Sequence, residues 1–447
     1  MRKLNILKSD ISKVLINLSL PILLCGIIQQ LYNMIDLIIV GHYVDGIGIA
    51  VVGSSACLLY TLIANFAGGM VVGPMVVIGK RYGQNNNEET KVAVCSSYFL
   101  IILMAITFTT IYLITTPLLL EAVNIPSSLK YDSSIYLRLY SLGYIFYFLF
   151  LLSTSILRVF GLSKLPTILI ISSFILNITL DFVFVIFLSL GYQGICFSYI
   201  TAQAISAIIG IISVFNHQNI NLKNIKISFS CIREIIKTGL PAGLGSFAFA
   251  LTNNYIQSYV NLLDNDWISA FAIYSKVENT FWITMTCLLS STTTFMSQNY
   301  GAKQYNRVFA GLKTALKIAY LSTIAVSILI FFGNETLSAL FVDNINISSK
   351  AAELMRFMAP TYFLYTAIEI FSALFQSTNH SACTFNINLV SVCLTRYLWL
   401  SQIASKNLNY QTISLCWPIS WILTSATYII YYIYLNKKEY SVLKELG

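Results

Sequence analysis

The chain has 447 residues, 57% of them hydrophobic and only 10% charged, with a formal net charge of +9 and a mean hydropathy of +0.73. That much apolar surface excludes a soluble globular protein and a disordered one, and leaves a polytopic membrane protein. The nine cysteines form no C-x-x-C pair and share no metal-ligand spacing with the three histidines, so neither a structural metal nor a cofactor is expected.

From the N-terminus, Arg2, Lys3, Lys8 and Lys13 precede an apolar run that is too long for a signal peptide and lacks a small-residue cleavage site, so the first span is expected to be retained. Twelve apolar runs follow, each long enough to cross about 30 Å of hydrocarbon as a helix. Six lie at 14–42, 49–79, 91–118, 133–158, 165–189 and 192–215, and six at 235–263, 267–299, 309–341, 350–376, 382–404 and 410–435. Cations gather in alternate loops, at Lys80/Arg81/Lys91, Arg158/Lys164, Lys223 to Lys237, Lys303/Arg307/Lys313 and Lys437/Lys438/Lys444. The intervening loops are short and poor in them. By the positive-inside rule both termini face the cytoplasm, and the positive charge reflects topology rather than a nucleic-acid partner.

The polar, basic stretch 216–234 divides the chain into an N-terminal bundle, 1–215, and a C-terminal bundle, 235–447. The halves repeat each other. Leu18-Ser-Leu-Pro21 matches Thr238-Gly-Leu-Pro241, Asn33 matches Asn253 and Ala50 matches Ala270, all at an offset of 220, while Arg81-Tyr-Gly-Gln84 matches Asn299-Tyr-Gly-Ala302 at 218. An even number of spans per half gives both one orientation, related by a pseudo-two-fold along the membrane normal, which places substrate in a cleft between halves. The expected fold is therefore all-α, with two six-helix bundles in one monomeric chain.

Asp36 stands in the outer half of the first span, where a carboxylate costs at least about 2.5 kcal/mol and marks an ion or proton pathway, or else bonds a neighbouring helix. Asn177 and Asp181, at i and i+4, share one helix face at a similar depth, and Thr201 of the sixth span lies within reach. Two carboxylates at one level cannot both ionise cheaply, which suits proton loading. The same oxygens would also suit Na⁺, and the pattern leaves H⁺ and Na⁺ open, as it leaves open that Asn177 and Asp181 only join helices. Pro21, fifteen residues before Asp36, is a hinge or a static kink.

Taken together, these residues resemble the multidrug and toxic compound extrusion (MATE) transporters of the bacterial branch. Leu-Pro21 followed by Asp36 and Gly41 looks like the family's first helix. Arg158-Val-Phe-Gly161 with Pro166, Asn177 to Asp181, and Gly194-Ile-Cys-Phe-Ser-Tyr-Ile-Thr201-Ala-Gln203 look like its fourth to sixth. Gln298-Asn-Tyr-Gly-Ala302 and Pro418-Ile-Ser-Trp421 are similar to its second-half landmarks. The resemblance implies an antiporter that exports amphipathic organic cations against inward H⁺ or Na⁺. It implies that Asp36, Asn177, Asp181 and Thr201 hold the coupling ion, and that the first span bends at Pro21 when the site is loaded. The second half departs from the pattern: Asn253 and Asn254 stand where some members carry an acid, and Gln376-Ser-Thr-Asn379 replaces the Arg-x-x-Gly stretch.

In that half, Asn253, Lys276, Glu278 and Arg396 are candidates for lining the cleft; Lys276 and Glu278, at i and i+2, point to different faces. The alternative for Arg396 is a structural ion pair or backbone contacts. No P-loop or Ser/His/Asp order appears, which disfavours ATP hydrolysis and hydrolase chemistry. A flippase for lipid-linked sugars would call for more intramembrane cations than Lys276 and Arg396. A membrane-embedded transferase would call for a polar loop rich in His, Asp or Arg.

Overall fold

A computed structural model describes residues 5–44, 51–52, 55–122, 127–162, 164–221 and 225–445, with the side chains at 31–38, 40–42, 55–59, 122 and 444–445 outside the description. Among the described residues the chain is helical and has no strand. The N-terminal helices are α1 (Ile11–Tyr43), α2 (Ser55–Met70), α3 (Val72–Gly83), α4 (Asn87–Ala122), α5 (Lys130–Leu142), α6 (Tyr144–Val159), α7 (Lys164–Asp181) and α8 (Gly191–Gln218). There follow α9 (Phe229–Val260), α10 (Asn265–Gly301), α11 (Tyr305–Ala339), α12 (Ile345–Met358), α13 (Phe363–Ser377), α14 (Ser381–Asn388), α15 (Thr395–Trp399), α16 (Tyr410–Ser414), α17 (Cys416–Leu435) and α18 (Ser441–Glu445).

Among the described residues nine helical stretches are long and apolar enough to cross a membrane, or ten if α12 and α13, bent by 51°, are one span. The bend falls at the turn Ala359–Thr361, where Pro360 interrupts the backbone ladder. The two other expected spans are also helical. Helix α10 is too rich in Ser, Thr and charged residues to register by apolarity, and 381–404 is a run of short α and π segments rather than one long helix. Large apolar side chains point outward along the spans, including Ile114 at 72% and Phe187 at 81% exposure, as lipid-facing surfaces require.

The helices form two compact units, one of Leu24–Gly243 and the other of Asn5–Leu23 with Leu244–Gly447. The divisions do not fall at the 216–234 linker. They fall inside α1, just past Pro21, and inside α9, just past Pro241, because the first turns of each of these helices are bonded into the other half's unit. In the first unit a Cβ on Gly73 would come within 2.4 Å of the Ile235 carbonyl oxygen, and one on Gly239 within 2.5 Å of the Met70 carbonyl oxygen, so α9 crosses α2 and α3 backbone to backbone. Arg81 then ties the α9 start down through Glu234 at 3.0 Å. In the second unit Ser19 of α1 donates to Ser291 of α10 at 2.9 Å, and the Arg307 guanidinium donates to the carbonyls of Ile6 and Ser9. At the 220-residue offset Ser19 corresponds to Gly239, and Ser291 to Val71, the neighbour of Met70.

Candidate functional site

Asp181 ends α7 and is only 1% exposed, and the π-helical turn Phe182–Phe187 follows it at once. Such turns are common at functional sites because they break the regular ladder and re-aim side chains. The hydroxyl of Ser198, on α8, donates to Asp181 Oδ1, and the same oxygen lies 2.9 Å from the Ile195 carbonyl of its own helix. Asn177 is buried one turn before Asp181 on the same face. Thr201 is half-buried one turn after Ser198. The structure thus brings Asp181 to α8 through Ser198, which sequence reasoning passed over although it lies in the quoted Gly194 to Gln203 motif. Thr201 follows it by three residues.

The Asp36 side chain lies outside the described residues. Its helix, however, reaches the same place: Ile39, three residues on, packs in one apolar cluster with Val44, Val185 of the π turn and Ile195 of α8. Pro21 sits inside α1, half-buried, two residues before the unit division.

Beside this carboxylate stands a nest of phenols. Tyr140 of α5 stacks on Tyr199, next to Ser198, at 4.2 Å and 10°, and Tyr60 of α2 meets both, at 4.8 and 6.2 Å. Tyr144, Tyr147, Tyr112 and Tyr136 complete it. Gly143 makes the room, since a Cβ there would come within 2.6 Å of the Tyr199 ring. The signal was present in sequence: Tyr136, Tyr140, Tyr144 and Tyr147, spaced 4, 4 and 3, form a helical stripe. Electron-rich ring faces of this kind attract organic cations.

The C-terminal unit is built otherwise. Arg396 of α15 is fully buried, its Nε donating to Ser420 Oγ at 3.0 Å and its Nη1 to Asn253 Oδ1 at 3.2 Å, with the Phe249 ring 5.1 Å away. Among the described residues the guanidinium's partners are neutral oxygens and a ring, so of the alternatives for Arg396 the ion pair is not the one seen. Glu278 is buried and accepts from Tyr274 at 2.7 Å, and Glu369 accepts from Tyr365. Lys276 is exposed and does not join them, in keeping with its i, i+2 relation to Glu278. Trp282, Tyr365 and Trp421 pack around this group, with Tyr365 at 4.8 Å from Trp282 and 5.6 Å from Trp421.

Apolar spans enclosing buried acids, a buried arginine and aromatic nests define a polytopic all-α membrane protein with polar groups inside its bundles. The MatE family model matches residues 21–183 and 241–399, so the two matches start at the two prolines of the repeat, 220 residues apart. The chain belongs to the MatE family, whose members are transporters rather than enzymes. It is 23% identical to a probable multidrug resistance protein of Bacillus subtilis, YoeA, over 80% of this chain and 79% of that one. A second from that organism, YpnP, is 21% identical over the full length of both. Its fold is also that of a MATE transporter of the MOP superfamily solved in an outward-facing conformation, with a TM-score of 0.88 at 19% identity over 100% of this chain and 99% of that one.

Proposed function

We propose that the chain is a secondary antiporter of the bacterial plasma membrane, which exports amphipathic organic cations in exchange for H⁺ or Na⁺ entering from outside. The observation that carries this reading is Asp181, buried inside a membrane-spanning bundle, held by a hydroxyl from α8 and stacked one turn from Asn177. A hard cation or a proton is what such a set of carboxylate, amide and hydroxyl oxygens binds. Asp36, on the helix that packs against the π turn, and Thr201 complete the proposed set. The phenol nest next to Ser198 supplies faces for an organic cation. Loading then shifts the equilibrium by the ion's differential affinity for two conformations, with Pro21 as the flexing point of α1.

Proteoliposomes loaded with ethidium test this, with a pH gradient and a Na⁺ gradient imposed separately. Wild type should move dye under one of them, and Asp181→Asn, still inserted in the membrane, should not. Gradient-driven transport at the wild-type rate in that variant would refute the site, and no response to either gradient would refute antiport.

A further inference from the structure

The buried donors of the C-terminal unit that the described residues do not satisfy include two N–H groups, one on α15 and one on α17. Arg396 Nη2 has no acceptor, and neither has the indole Nε1 of Trp421, although both side chains are 0% exposed. Buried donors are nearly always bonded, because an orphan retains its full desolvation cost. The two are linked: Ser420, which accepts from Arg396 Nε, immediately precedes Trp421. Four rings connect them, from Phe249 under the guanidinium through Trp282 and Tyr365 to Trp421, at 5.7, 4.8 and 5.6 Å.

The local backbone is also irregular. The α15 segment that carries Arg396 is bracketed by π-helical stretches at Leu389–Leu394 and Leu400–Ala404, a departure that α helices concentrate at working sites. Asn253, which holds Nη1, is itself exposed, so a path to the guanidinium begins at its amide. Between α9 and the first π stretch runs an apolar groove of about 510 Å³, whose lining includes Thr252, next to Asn253, and Tyr397, next to Arg396.

We infer that the C-terminal unit holds an oxyanion-recognition site, in which Arg396 Nη2 and Trp421 Nε1 donate to the carboxylate or phosphate oxygens of an aromatic compound whose ring packs among Phe249, Trp282 and Tyr365. Two buried donors, one of them on a guanidinium, with no acceptor among the described residues favour a ligand that brings negative charge, and the surrounding rings favour an aromatic body to carry it. That such a compound is transported rests on the antiport reading above; that it binds does not. Glu278, within electrostatic reach of Arg396, competes with the ligand for the guanidinium's field.

Tryptophan fluorescence and thermal melting of the full chain in detergent micelles test the site, with benzoate and phenyl phosphate as probes and benzyl alcohol as the neutral isostere. Both anions should quench saturably and raise the melting midpoint, and benzyl alcohol should do neither. Arg396→Gln should weaken anion binding at least tenfold. Asn253→Asp, which keeps the charge but gives it an internal carboxylate, should do the same and serves if the first variant does not accumulate; Glu278→Gln should tighten binding. An equal response to benzoate and benzyl alcohol, or anion binding untouched by Asn253→Asp, would overturn the inference. These outcomes are independent of ion gradients, so a failure of antiport leaves the binding result standing.

Discussion

The two units descend from one repeat yet hold opposite chemistry. In the first, a buried carboxylate is bonded by a serine and flanked by seven tyrosines; in the second, a buried guanidinium is bonded by a serine and an asparagine and flanked by indoles. At the 220-residue offset, Asp36 corresponds to Ile256 and Asp181 to Ser401, so both acids of the first half have neutral counterparts. Asn33 corresponds to Asn253, which in the second unit serves Arg396. The shared backbone feature is a π-helical stretch, Phe182–Phe187 in one half and Leu400–Ala404 in the other. A duplicated scaffold can thus keep its irregular turn while exchanging the sign of the charge beside it.

Five substitutions probe this contrast, and the largest effect falls on the carboxylate. Asp181→Asn should abolish the response to an imposed gradient while Glu278→Gln leaves it measurable in the same liposomes; equal losses would mean that both units carry coupling. Next, Gly239→Leu would drive a side chain into the Met70 carbonyl and should lower stability by about 1–3 kcal/mol as an overpacked crossing, read as a lower melting midpoint. Its counterpart Ser19→Gly removes a hydrogen bond worth roughly 0.6 kcal/mol in membrane proteins, and an equal loss in the two would contradict the asymmetry of the crossings. Tyr140→Leu should weaken ethidium binding about 2- to 30-fold, the range of a cation–π contact of 0.5–2 kcal/mol, without altering benzoate binding.

The smallest effect concerns a helix start in the second unit. Asp264 caps α10 by accepting from the Trp267 amide at 2.9 Å, and with Lys350 nearby its carboxyl is held below the usual range, first by that amide and then by the ammonium. A lowered folded value means the contribution is present at neutral pH and fades as pH falls through it. The melting midpoint of wild type should therefore drop slightly more than that of Asp264→Asn between pH 6 and 3.

Much of this was legible before any coordinates. Apolar runs and loop charges gave the spans, and the i, i+4 pair Asn177 and Asp181 did fall on a buried face. The stretch 267–299, read as one of the apolar runs, is helical in α10 but too polar to register by apolarity. What the sequence did not disclose were features made by three-dimensional pairing. A serine becomes a carboxylate's donor only when two helices meet, and Ser198 looks like any other small residue until α8 faces α7. For Arg396 the sequence leaves an ion pair, backbone contacts and a place in the cleft open, and its neutral partners Ser420 and Asn253 come from other helices, while Glu278 and Glu369 are bonded by tyrosines of their own helices. The π turns left no trace in residue type, since an inserted residue shifts register without changing composition.

The divisions just past Pro21 and Pro241 bear on how the chain is made. The first unit includes residues 229–243, so it cannot be completed when residue 215 has left the ribosome; it waits for the opening turns of the second half. The second unit, in turn, draws on residues 5–23, which precede nearly all of the first. A gene cut at the linker would yield two fragments, each carrying a segment that packs in the other's unit, 5–23 in one and 235–243 in the other.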